Sequence, residues 1–148
     1  MRCGAALVIA LLTAITLNSG AAAHHSFVSE FDNSTVVTVN GVVASVEMVN
    51  PHSWIYLGVT TNGTVERYAL EGPGPLQIQR RGIALDSIRV GDELGACGYP
   101  ARRDANATKR EPATGTAARK LQAAVLSTPN RGSFVWNNYR QGKCGIDN

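Results

Sequence analysis

The sequence predicts an all-β protein, a small OB-like five-stranded antiparallel barrel with one short helix between strands three and four. Three observations predict it. Five segments alternate or fill with apolar residues at the two-residue period of strands. Asn62-Gly63 and Gly72-Pro73-Gly74-Pro75 punctuate them as a tight hairpin and a strand stop. The order of three strands, a short helix and two strands is that of an OB-type barrel, and closing the barrel removes the free edges of so small a sheet. An open antiparallel sandwich is the alternative with the same elements.

Residues 1–23 read as a cleaved signal peptide. Arg2 supplies the positive start, Ala5 to Leu17 an apolar run broken by Thr13 and Thr16, and Asn18 to Ala23 a small-residue cleavage region. The run falls short of the roughly 20 apolar residues a membrane span needs. The expected product is therefore exported, with no membrane contact after signal removal. Taking residues 1–23 from the 148 leaves 125, one domain with a modest core.

Residues 24–127 form the expected barrel domain. Thr35 to Met48 alternates as a long first strand, with Val42, Ala44, Val46 and Met48 on one face and Val43, Ser45 and Glu47 on the other; Asn40-Gly41 marks a bulge or bend. Asn50-Pro51 interrupts pairing, because proline has no amide hydrogen to donate. Ser53 to Thr60 is the second strand and Val65 to Glu71 the third. Leu76 to Arg81 suits a short helix ended by a left-handed Gly82. Glu93 to Tyr99 and Lys120 to Ser127 are the last two strands, and Arg102 to Gly115, lacking periodicity, reads as a solvated loop. Residues 128–148 read as a tail.

Cys3 would leave with the signal, so Cys97 and Cys144 remain. In an oxidising compartment, two cysteines without CxxC spacing favour a structural disulfide pinning the tail to the barrel. Net charge falls from +3 to +2 without Arg2, which is ordinary surface and gives no warrant for a nucleic-acid partner.

The residues with the clearest chemistry are His24, His25 and His52, the three histidines of the chain. Cleavage after Ala23 would let His24 offer its amine and Nδ1 to one ion, with His25 or His52 adding an imidazole. Cleavage after Ala22 would leave Ala23-His24-His25, where the third-position imidazole of His25, two backbone nitrogens and the amine can form a square-planar copper or nickel site. Both nitrogen sets suit copper in a tetragonal plane, and binding should weaken in acid as the ligands protonate. Against this stand a solvated terminus and, for His52, plain turn chemistry in Asn50-Pro51-His52. Glu47 could support a histidine from behind; Glu66, Glu71, Asp92 and Glu93 read as solvent-facing charges.

A non-metal binding module is the alternative. Trp54 and Tyr56 share one strand face and, with Tyr68, would make an aromatic face for a glycan, peptide or protein partner. The competing expectation is that the N-terminal arm, or the tail with Phe134 and Trp136, covers them. No catalytic constellation is visible. His52 and Ser53 are strand neighbours pointing to opposite faces, and the Gly-Pro-Gly-Pro stop lacks the Lys-Ser/Thr ending of a phosphate loop.

The set His24-His25-Ser26-Phe27, Phe31-Asp32, Gly41-Val42-Val43, Asn50-Pro51-His52-Ser53-Trp54-Ile55, Arg81-Gly82, Val90-Gly91-Asp92-Glu93 and Gly98-Tyr99-Pro100 resembles a family of short exported bacterial proteins known only as a domain of unknown function. The likeness runs from about His24 to Leu126. It implies export, bacterial origin and a small β-barrel, and no reaction. Met48 and Tyr68 stand where the resemblance would lead one to expect tryptophan.

Overall fold

Asn62 and Gly63 both take positive φ, 51° and 78°, the twist-matched geometry of a two-residue hairpin. In the computed structural model, which describes residues 27–103, 107–137 and 141–144, this turn joins β2 (Trp54–Thr61) to β3 (Thr64–Glu71). The pair runs in register from Thr61 opposite Thr64 to Trp54 opposite Glu71. The predicted signal segment, His24 and His25 lie outside the described residues.

β1 (Val37–Glu47) pairs antiparallel with β2 and with β4 (Glu93–Pro100). β6 (Ala117–Thr128) pairs antiparallel with β4 and parallel with β3. These contacts close a five-stranded mixed barrel whose seam, β3 against β6, is its parallel pairing. Two further strands, β5 (Thr108–Arg110) and β7 (Gly132–Val135), add to β6. Two short α-helices and a 3-10 turn (Gln141–Cys144) complete the described elements: α1 (Phe27–Glu30) precedes the barrel, and α2 (Pro75–Arg80) lies between the third and fourth strands, where the sequence predicted a helix.

Proline at the first position of α2 suits a site with no amide to satisfy, and Gly82 at φ 73° turns the chain out of it. Ile78 of α2 is fully buried, joining Val39, Val43, Ile55, Leu57, Leu70, Leu94, Leu121 and Leu126 in the barrel core. Burying each such side chain contributes about 1.5–3 kcal/mol before conformational entropy is subtracted.

Three local expectations are corrected. The bulge in β1 is not at Asn40-Gly41 but between Val43 and Ser45, where Ala44 has no β2 partner. The extra residue swaps faces: Val39 and Val43 point inward before it, and Val46 and Met48 pack on the core after it. Gly41 serves a different need, since a Cβ there would overlap the Gly58 carbonyl. The predicted solvated loop contains β5, and its Glu111 is 1% exposed. Within the predicted tail, Trp136 is buried in the barrel core.

Cys97 of β4 and Cys144 are bonded, their Cα atoms 5.7 Å apart. The bond packs with Phe31, Tyr99 and Val125 in a second apolar cluster outside the barrel, which Phe27 also joins. Phe27 stacks on Phe31 with centroids 5.7 Å apart and meets Tyr99 edge-on at 5.4 Å. Lys143 donates to the carbonyls of Asn33 and Ser34, so the C-terminal turn and the N-terminal segment are fastened to each other as well as to β4.

Candidate functional site

His52 is presented by a turn with a cis Asn50-Pro51 bond. The turn is held against the Gly-Pro-Gly-Pro segment by two backbone bonds, Ser53 N to Pro73 O at 3.2 Å and Gly72 N to Ser53 O at 2.9 Å. Glycine is required at two points here. A Cβ on Gly74 would lie 2.9 Å from the Pro51 carbonyl oxygen, and one on Gly72 would fall on the Trp136 indole nitrogen. Close approach of the two segments therefore brings the end of β3 beneath His52.

The consequence is an imidazole–carboxyl pair. His52 Nδ1 lies 3.0 Å from Glu71 Oε1, with the His52 side chain 51% exposed and that of Glu71 only 8%. A histidine held through Nδ1 keeps Nε2 available for a ligand, the arrangement in which protein carboxylates orient metal-binding imidazoles. Burial pushes the Glu71 carboxyl up to about 7, against the opposing pull of Lys109. Glu71 sits between Trp54 on β2 and Gln122 on β6. Gln122 Oε1 is buried without a hydrogen-bond partner among the described residues.

Trp54 borders this pair. The Lys109 ammonium lies 4.7 Å from its ring centroid and that of Lys120 lies 5.9 Å away, within cation–π range. Lys120 is also 5.5 Å from the Phe31 ring and forms an ion pair with Glu30. Through Lys120, the N-terminal helix, Trp54 and the Glu71 side of the sheet share one face.

Tyr56 lies deeper on that face, fully buried, and donates to Glu47 Oε2 at 2.7 Å. Burial first, and the Glu47 hydrogen bond second, push its hydroxyl well above the usual tyrosine range, so it remains a donor. Glu111, from the loop after β5, accepts from Ser45 Oγ at 2.6 Å and from Thr114 Oγ1 at 2.8 Å. These satisfied bonds give a structural polar layer, and Glu47 belongs to it rather than to His52; Glu71 takes the supporting place.

The predicted residues thus separate. Trp54 and Tyr56 share a face, but Tyr68 pairs with Leu57 and joins the core on the opposite face. With Tyr56 and Tyr68 buried, the three do not make one exposed aromatic face. The cover on Tyr56 comes from the segment around β5, and Phe134 and Trp136 pack against the barrel core. Among the described residues no group of three or more His, Cys, Asp or Glu is placed to hold a metal ion; His24 and His25 are not among them. Glu71 is the residue the sequence reading missed. Its signal was the hairpin register, which sets it opposite Trp54.

The fold and this site define a small closed β-barrel carrying an oriented histidine at the mouth of a turn. The chain belongs to a family of unknown function, DUF6152, whose model matches residues 12–110. The match takes in α1, β1 to β5 and the His52 turn. No curated protein matches the chain.

Proposed function

We propose that the protein is an exported periplasmic binding protein that takes a copper-type ion through His52 together with His24 and His25 at a processed N-terminus. The observation that carries this reading is the His52–Glu71 pair, an imidazole half open to solvent with its Nδ1 engaged by a buried carboxyl at 3.0 Å. A neutral, oriented imidazole with a free Nε2 is what a nitrogen-binding ion needs.

The N-terminal segment supports the same reading. Phe27 and Phe31 dock on Tyr99, and Lys120 bridges Phe31 to Trp54 on the Glu71 side. His24 precedes Phe27 by three residues, about 10 Å of extended chain. A free α-amine, a first-position imidazole and His52 would together give the nitrogen-rich plane that copper(II) prefers.

The test is a copper(II) titration of the secreted, mass-verified protein, followed by quenching of tryptophan emission. One equivalent should bind with sub-micromolar affinity. His24→Ala or an N-terminal extension should abolish that site, and Glu71→Gln should weaken it roughly 10- to 100-fold, as loss of an orienting partner does. Tight binding that survives both His24→Ala and His52→Ala would overturn the proposal.

A further inference from the structure

A second concavity, independent of the histidines, lies where the start of β1, the end of β4 and the starts of β5 and β6 converge. It has a volume of about 740 Å³, within the range of small-molecule sites. Val37, Leu121, Pro100 and Tyr68 give it apolar walls, and Arg102, Arg103 and Arg119 line it beside them.

Its charges are unevenly compensated. Lys120 is paired with Glu30, and Arg119 with Glu66 at 3.2 Å. Asp32, the carboxylate lining the cleft, already accepts from the Ser34 amide and hydroxyl at 2.9 and 2.6 Å. Arg102 donates through Nε to the Val28 carbonyl at 2.9 Å, and its charge also acts on Asp32. Arg103 has no ion-pair partner among the described residues. Arg119 also donates to the Tyr68 hydroxyl at 3.1 Å, with its guanidinium carbon 5.2 Å from the Tyr68 ring centroid. Tyr68 and Arg119 therefore hold each other at the wall of the cleft, giving an aromatic surface next to a fixed cation.

We propose that this cleft binds an amphipathic organic anion, an aromatic or branched apolar body bearing one carboxylate, phosphate or sulfonate. The body would lie against Val37, Pro100 and the accessible rim of Tyr68, and the anionic group would meet the guanidinium groups of Arg103 and Arg102, whose planar donor forks match such oxygens. A cation is disfavoured by the three arginines. A polynucleotide would want an extended basic stripe, whereas this chain carries a net charge of only +3.

The experiment uses the full oxidised protein and the probe 8-anilinonaphthalene-1-sulfonate, with fluorescence titration and amide chemical-shift mapping. Its uncharged relative N-phenyl-1-naphthylamine is the control. The sulfonate should bind one-to-one and shift the amides of Val37, Tyr68 and Leu121. Arg103→Gln, an exposed substitution that spares the core, should weaken it roughly tenfold, the size of one charge-assisted contact. The uncharged control should bind at least tenfold more weakly. Equal affinity for both probes, no effect of Arg103→Gln, shifts centred elsewhere, or no saturable binding would each overturn the proposal.

Discussion

Replacing Cys97 and Cys144 with serine should lower the melting temperature by roughly 17 °C. The bond closes the chain from 97 to 144, a sequence separation of 47. Loop closure of that length removes unfolded-state entropy worth about 4 kcal/mol at 25 °C. At about 2.1 cal/mol/K per residue, the roughly 110 described residues unfold with an entropy near 0.23 kcal/mol/K, and the ratio sets the shift. The assay is thermal unfolding by near-ultraviolet circular dichroism, comparing the oxidised protein with the double variant. The bond also packs on Phe31 and Tyr99, so the double variant should loosen the N-terminal helix, seen as faster amide exchange at Phe31 and Asp32. A shift below about 3 °C would refute the reasoning, since it would mean that the unfolded chain gains little freedom when the link is cut.

Three further outcomes are expected. Gly72→Ala drives a methyl group onto the Trp136 indole nitrogen; it should cost about 1–3 kcal/mol, as overpacking does, and change Trp136 emission, while wild-type stability would show that the turn relaxes freely. Tyr56→Phe removes a donor to Glu47 in the buried polar layer and should cost about 2 kcal/mol in urea unfolding, the scale of a hydrogen bond to a charged group; a loss under about 0.5 kcal/mol would contradict that role. Glu71 is raised from its ordinary 4.5 to about 7, so the folded state holds its proton more tightly than the unfolded chain. That contribution to stability is present below about pH 4.5 and is lost as pH rises through about 7. It amounts to at most about 3 kcal/mol, since the charge of Lys109 opposes the effect of burial. Urea unfolding of the metal-free protein across that window should show the slope, and Glu71→Gln should flatten it; an unchanged slope in the variant would exclude Glu71 as its source.

The fold was legible where local rules act. Asn62-Gly63 fixes β2 against β3, and Pro75 with Gly82 brackets α2, because these residues select backbone conformations without reference to the rest of the chain. What the sequence hid depends on contacts distant along it. Ala44 bulges out of β1, which puts Val42 and Val46 on opposite faces, and no residue type near it announces a bulge. Glu111 looked like loop charge because its partner Ser45 lies 66 residues away. Trp136 lay in a stretch rich in Asn and Arg, and only its docking on Gly72 makes it core. Glu71 was readable in principle. The two-residue hairpin sets it opposite Trp54, although that register does not by itself reveal that the Gly-Pro-Gly-Pro segment lays His52 over its carboxyl.

The most direct test of the central claim is electron paramagnetic resonance of the one-to-one copper(II) complex of the secreted protein, recorded beside its His52→Ala variant. The account predicts a tetragonal, nitrogen-rich signal that loses one imidazole contribution on His52→Ala. An identical spectrum in the variant would contradict it, because the copper would then be held without the one histidine that the barrel orients.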